Sequence, residues 1–198
     1  MNMKRRNSIP TVCVVGLGNV LMGDDGFGPL AVEKLRCEYE CGTNVEILDL
    51  GTPGLDLAPY LYGKDLVVIV DAVTADGKPG TVRTYRESNF HNSRVPLRLT
   101  GHDPGLPEAL AQIRLVGRGP SEVVVVGVIP ESCVFGGGIS STVVAASSHA
   151  VDNIIQVLRE RGFVCRQRRD PEPPNLWWLA DGTSTYARPA RTAPAAHV

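Results

Sequence analysis

A chain of 198 residues has the length of one ordinary domain and can bury a sizeable core. Hydrophobic residues make up 43% and charged residues 21%, a globular composition, and a formal net charge of -1 excludes recognition of nucleic acid or an anionic membrane surface by bulk electrostatics. No run approaches the roughly 18 apolar residues of a spanning helix, since LVVIVDAV and VVVVGVI are the longest candidates.

Residues 1–10, MNMKRRNSIP, form a basic extension that leads into TVCVVG without the apolar region of about 7 to 15 residues that an export signal requires. TVCVVG at 11–16 is β-branched and ends in glycine, and Phe27, Leu30, Ala31, Leu35 and Tyr39 then recur at helical intervals. VEILDL at 45–50 reads as a second strand, LDLAPYLY as a short helix and DLVVIVDAV at 65–73 as a third strand. TVRTYR at 81–86 is a strand with one polar face, and the brief link ADGKPG before it predicts an antiparallel hairpin with its predecessor. Leu106, Leu110, Ile113 and Leu115 mark a helix over 103–116, EVVVVGVI at 122–129 a buried strand, and Val143, Val144, Ala150, Val151, Ile154, Ile155 and Leu158 a helix over about 140–161. This alternation predicts one α/β domain over 11–163, with a mainly parallel sheet covered by helices on both faces.

Residues 164–198 change character, with Arg166, Arg168 and Arg169 followed by Pro171, Pro173 and Pro174 and an end rich in Ala, Pro, Ser and Thr. They read as a flexible tail in which Trp177 and Trp178 either anchor the segment, meet a partner or do neither. The five cysteines, at 13, 37, 41, 133 and 165, are odd in number and contain no C-x-x-C pair, which predicts free thiols in a reducing, cytoplasmic setting. Cys37 and Cys41 sit four apart, but two donors without neighbouring Cys or His make a poor zinc site.

The stretch GLGNVLMGDDGFG at 16–28 carries the chemistry. A strand, a G-x-G turn and a helix commonly present N–H groups to phosphate, and Asp49 at the end of the second strand suits a ribose. Against a dinucleotide, position 21 is leucine where a third glycine belongs, and Asp24 and Asp25 would repel a pyrophosphate. Each acid alone reads equally well as a helix cap matched to the dipole. In a doubly wound sheet, however, Asp25 after the first strand, Asp71 at the end of the third and His102 before the next helix project over one edge. Two carboxylates and an imidazole suit a borderline divalent ion and leave positions open for another molecule. Asp71 bonded to a loop N–H and His102 as a loop residue or helix cap are the plain alternatives. His91, His149 and His197 read as surface residues, no G-x-S-x-G elbow occurs, and Cys133 has no evident base.

Five segments taken in order, GLGNVLMGDDGFG, LDLGTPG at 48–54, VIVDAV at 68–73, GHDPGL at 101–106 and VVGVIPES at 125–132, resemble the hydrogenase maturation endopeptidases over about residues 12–162. The resemblance implies a three-layer α/β/α sandwich with a twisted, mainly parallel five-stranded sheet containing one antiparallel strand. It implies removal of a C-terminal peptide from the precursor of a [NiFe]-hydrogenase large subunit after nickel insertion, by a monomer that needs neither nucleic acid nor membrane. Asp25, Asp71 and His102 match the family's metal-contacting places, Asp25 standing where many relatives have glutamate; Asp25 and Asp71 are then the catalytic acids. Asp49, Gly51 and Thr52 match a segment associated with substrate recognition.

On this expectation Ni²⁺ is carried by the precursor, and its occupancy is the specificity check. Either the metal polarises the scissile carbonyl or a water, the favoured route, or a carboxylate acts as general base; the family's aspartic-type label does not imply a pepsin-like dyad. A non-catalytic nickel-dependent chaperone, a nucleotide-binding module and a hydrolase with its own metal are the alternatives.

Overall fold

The computed structural model describes residues 9–86, 98–99 and 105–179. Val12–Leu17 (β1), Leu66–Thr74 (β4) and Glu122–Val128 (β7) are valine-rich runs buried along nearly their whole length, as strands covered on both faces must be. With Val45–Gly51 (β3) and Val82–Arg86 (β5) they form the order β3-β1-β4-β7-β5. All neighbours are parallel except β5 with β7.

Two layers of helix cover this sheet. Phe27–Glu38 (α1) and Ser141–Glu160 (α4) pack on one face through Phe27, Ala31, Leu35, Ala150, Ile154 and Leu158. The other face receives the short Ala58–Leu61 (α2) and Gly105–Leu115 (α3) through Leu57, Leu61, Ala109, Leu110 and Ile113, against Val67, Ile69 and Val125. The three-layer sandwich with one antiparallel strand in its five-stranded sheet is therefore the architecture of the chain. Arg98–Leu99 (β6) adds an antiparallel bridge of two residues on Val73 and Thr74 at the end of β4.

The hairpin expected for 81–86 does not form. Both edges of β4 are taken by β1 and β7, so the link 75–80 carries the chain past β7, and β5 joins its far side as an edge strand. Gly80 N donates to Ile129 O at 2.8 Å and Ile129 N to Thr81 O at 3.0 Å, fixing the start of that pairing. At its other end Arg86 and Arg161 share Glu122, at 2.9 and 2.6 Å, and Arg86 reaches Glu160 at 2.9 Å.

Not all cysteines are free. Tyr39–Cys41 (β2) pairs antiparallel with Cys165–Gln167 (β8), and Cys41 is bonded to Cys165, which leaves Cys13, Cys37 and Cys133 as thiols. The pairing brings together residues 124 apart in sequence, so neither spacing nor an odd count could reveal it. The start of the presumed tail is accordingly tied down. Arg168 N donates to Glu38 O at 2.7 Å and Asn175 N to Glu33 Oε1 at 2.9 Å, so the chain runs back along α1, and Leu176 is buried. Trp177 and Trp178 meet edge to face, their ring centres 5.6 Å apart. Among the described residues no helix is long and apolar enough to cross a membrane.

Candidate active site

The turn after β1 is built around Gly18, whose φ of +126° is open to glycine, and whose missing Cβ would lie 1.8 Å from Asp25 O. Its N–H donates to Gly51 O at 2.9 Å, which binds this turn to the end of β3. The chain then makes a tight turn closed by Met22 N on Asn19 O and by Leu21 N on Asn19 Oδ1, and enters a 3-10 turn at Gly23–Gly26 that runs directly into α1. Asn19 N donates to Asp25 Oδ2 at 2.8 Å, Asp24 N to Ser132 O at 2.9 Å and Asp25 N to Met22 O at 3.2 Å. The amides of Gly18, Asn19, Leu21, Met22, Asp24 and Asp25, which a phosphate would need, are thus already donating within the protein. This opposes the nucleotide reading more directly than Leu21 does, and Leu21 itself is half exposed.

Close packing of helix on sheet does not wait for a glycine at position 21. A Cβ on Gly28 would sit 2.1 Å from Leu17 O and 2.4 Å from Val70 O, and one on Gly16 would sit 2.6 Å from Gly28 O. Gly16 and Gly28 let the first turn of α1 lie directly on β1 and β4, a role the sequence reading missed although Gly28 stood in the quoted motif.

Asp24 and Asp25 do different things. Asp24 is fully buried, and its carboxylate accepts from Glu131 N at 2.7 Å, Ser132 N at 3.0 Å, Ser140 N at 2.7 Å and Ser140 Oγ at 3.1 Å. It does not cap α1; with four donors on its two oxygens it staples the turn to the loop 130–140 between β7 and α4. Ser140 in turn caps α4, its Oγ accepting from Val143 N at 3.3 Å. Asp25 is equally buried, with Oδ2 held by Asn19 N.

Asp71 lies in β4 just past the point where β1 ends, since β1 pairs only as far as Gly16 with Val70. It is 2% exposed, its Oδ1 accepts from Ala72 N at 2.7 Å, and the missing Cβ of Gly18 would be 3.6 Å from that oxygen. That donor is the next residue of β4 itself and not the loop N–H expected as Asp71's plain role. Gly18 lies between the two acids, its missing Cβ 1.8 Å from Asp25 O as well as 3.6 Å from Asp71 Oδ1. Burial first, and then the negative charges of Asp25, Asp24 and Asp71, push the nearby Cys133 thiol up to about 11. The structure thus brings Asp25 and Asp71 together at the carboxyl edge of the parallel sheet, where sites of this architecture form.

Asp49, Gly51 and Thr52 stand at the same edge, on the end of β3. Asp49 is exposed and its Oδ1 accepts from Gly51 N at 3.0 Å, closing a turn in which Gly51 has φ +57°. His102, like His91 and His197, lies outside the described residues, and His149 is an exposed residue of α4. Among the described residues no group of three or more His, Cys, Asp or Glu is placed to hold a metal by itself. A cavity of about 320 Å³ lies well away from the acids, between α1 and the returning chain, lined by Glu33, Arg36, Cys37, Arg168, Asp170 and Glu172. Arg36 there is spent on Ile47 O and Glu33, and nothing in that lining matches the chemistry at the sheet edge.

Comparison with known proteins agrees with this fold. The family model described as hydrogenase maturation protease matches residues 29–157. The hydrogenase 2 maturation protease of Escherichia coli is 35% identical over 152 residues, covering 76% of this chain and 92% of the relative. The hydrogenase expression/formation protein HupD of Thiocapsa roseopersicina is 32% identical over 164 residues, covering 82% and 74%. Among solved structures, the hydrogenase maturating endopeptidase HybD from E. coli superposes with a TM-score of 0.73 at 33% identity, over 81% of this chain and 99% of that one. The [NiFe] hydrogenase maturation protease HybD from Thermococcus kodakarensis gives 0.61 at 27% identity, over 74% and 98%. By family match, by identity over most of its length and by fold, the chain belongs to the hydrogenase maturation protease family.

Proposed function

We propose that this hydrolase removes a C-terminal peptide from the nickel-loaded precursor of a [NiFe]-hydrogenase large subunit, and that it uses the client's nickel as its recognition element. The observation that carries the reading is the pair of buried carboxylates, Asp25 and Asp71, under a glycine turn six of whose amides already donate within the protein. Such a pair offers hard oxygen ligands and has no anion to receive. Leu99, three residues before His102, bridges to Val73, two residues after Asp71, which favours the imidazole as third ligand. Asp25, Asp71 and His102 would then meet nickel at the positions the client's own ligands leave open. Asp49, Gly51 and Thr52, on the adjoining strand end, would contact the client and set its register.

The chemistry follows from what these groups do best. Carboxylates engaged on a cation are poor general bases, so the metal-assisted route is favoured: nickel polarises the scissile carbonyl or lowers the pKa of a water, and the acids hold it in place. The aspartic-type label would then describe the residues rather than a dyad. Specificity arises because a nickel-free client lacks these bonds, and ~3 kcal/mol less transition-state binding slows cleavage more than a hundredfold. We take the enzyme to act as a monomer, with no nucleic acid or membrane taking part.

The test is cleavage of a large-subunit precursor, with and without nickel, followed by its mobility on a gel. Wild-type protein cuts only the loaded precursor, and Asp25→Ala, Asp71→Ala and His102→Ala each lower the rate by two orders of magnitude or more. Equal cleavage of the nickel-free precursor removes the recognition argument, and nickel-dependent binding without cleavage identifies a checkpoint protein in place of a peptidase.

A further inference from the structure

Leu21, Val134 and Phe135 expose 52%, 64% and 72% of their surface, a concentration of large apolar side chains for which folding gives no reason. They come from two loops that are locked to each other. Gly136 N donates to Leu21 O at 2.9 Å, Gly137 N closes a turn on Val134 O at 3.1 Å, and the Asp24 carboxylate holds Glu131, Ser132 and Ser140. The fit is tight enough that a Cβ on Gly23 would lie 2.6 Å from Ser132 O and 3.4 Å from Val134 O. These side chains therefore stand on fixed backbone, and a partner that covers them loses little loop entropy.

Their position relates them to the acids. Cys133 directly precedes Val134 and follows Ser132, whose carbonyl accepts from Asp24 N at 2.9 Å beside Asp25. The apolar shelf is thus continuous with the edge where Asp25 and Asp71 gather. Beyond Phe135, Gly136 and Gly138 adopt φ of +73° and +64°, and a Cβ at either would meet nothing within 4 Å, so bare backbone lies open beside the shelf. Apolar side chains next to exposed backbone free of side-chain cover complement an extended peptide. Residues 131–140, ESCVFGGGIS, contain no lysine or arginine, which disfavours an anionic lipid surface as the occupant.

Resting on the reading above, we infer that Leu21, Val134 and Phe135 form the subsite that receives an apolar side chain of the client polypeptide next to the scissile bond. These residues are then specificity determinants of the reaction, and a client carrying a polar side chain at that place is cut poorly.

The test compares Leu21→Ser, Val134→Ser and Phe135→Ser with wild type and with Val116→Ser, an exposed apolar residue just beyond α3. Binding and cleavage of the nickel-loaded precursor are measured separately, after thermal unfolding has shown that each variant is folded. Phe135→Ser raises KM about tenfold or more with little change in kcat, as loss of a buried aromatic contact requires, and Val116→Ser changes neither. A precursor with serine in place of the apolar residue flanking the cut shows the same rise, and combining it with Phe135→Ser adds little more. Unchanged KM in all three variants overturns the inference while leaving the peptidase reading intact. If wild type binds the precursor without cutting it and the variants bind tenfold more weakly, the subsite stands and the peptidase reading falls; equal binding removes both. A wild-type dimer that Phe135→Ser converts to monomer would assign the shelf to a second copy of the chain and overturn the inference.

Discussion

Asp24 and Ser140 are 116 residues apart in the chain and share two hydrogen bonds, from Ser140 N to Oδ1 at 2.7 Å and from Ser140 Oγ to Oδ2 at 3.1 Å. One carboxylate therefore joins the turn that carries Asp25 to the loop that carries Cys133, Val134 and Phe135. Removing it leaves three backbone donors without their acceptor. Asp24→Ala is expected to lower the unfolding free energy by about 2–4 kcal/mol in urea, with Asp24→Asn in between because one acceptor oxygen survives. Asp25→Asn, measured alongside, abolishes cleavage at a smaller cost in stability. The reverse order would exchange the roles assigned to the two acids.

The contact of α1 with the sheet is even less tolerant. Gly28→Ala places a methyl group within 2.1 Å of Leu17 O and 2.4 Å of Val70 O, both backbone atoms that cannot swing aside. The helix must lift from β1 and β4, so a loss of about 3 kcal/mol or more is expected, and cleavage falls with it because Asp25 moves too. Thermal unfolding of the variant, together with its activity at low temperature, checks both parts. An unchanged melting temperature would contradict the packing described.

The Cys41–Cys165 bond closes a loop over a sequence separation of 124 residues. Chain-entropy arguments put its contribution at about 3–5 kcal/mol, subject to strain and residual structure in the unfolded chain. Cys41→Ser or Cys165→Ser should lower the urea midpoint by a corresponding amount, and thiol titration should count three reactive groups in the denatured oxidised protein and five after reduction. Removing only residues 180–198 should leave stability unchanged, whereas ending the chain at 163 removes β8, Leu176 and the cross-link together.

Acid sensitivity should concentrate at the Glu122 cluster. A hydrogen bond from Arg161 first, then the charges of Arg161 and Arg86, hold its carboxyl below the ordinary 4.5. The folded protein therefore binds this proton more weakly than the unfolded chain does. The stabilisation is full above about pH 4.5 and is lost as pH falls through the lower, folded value. Glu122→Gln should flatten the dependence of the urea midpoint on pH below 4.5 at low salt. Parallel curves for the two proteins would show that the cluster contributes nothing there.

Much of the fold could be read from periodicity because β1, β4 and β7 are runs of valine and isoleucine too apolar for any place but the middle of a sheet. What escaped was pairing between distant segments. The polar face of 82–86 indicated an edge strand but not which edge, and nothing local marks Cys165 as the partner of Cys41. That Asp25 and Asp71 lie at one edge was legible because the carboxyl edge of a parallel sheet gathers the residues that end its strands. The division of labour between Asp24 and Asp25 was not, since it depends on where Ser132 and Ser140 come to lie. Leu21, Val134 and Phe135 were equally hidden, because an apolar residue in a loop shows its exposure only after the loop is folded.

The twelve residues of α1 set the acids and the Cys41–Cys165 bond at opposite ends of one rod, about 18 Å apart at 1.5 Å per residue. Chemistry performed at the far end, such as attaching a dye to Cys37 once Cys133 has been replaced by serine, can therefore proceed without touching the groups proposed to meet the client. That separation offers an optical handle for watching a precursor dock while peptide cleavage runs undisturbed.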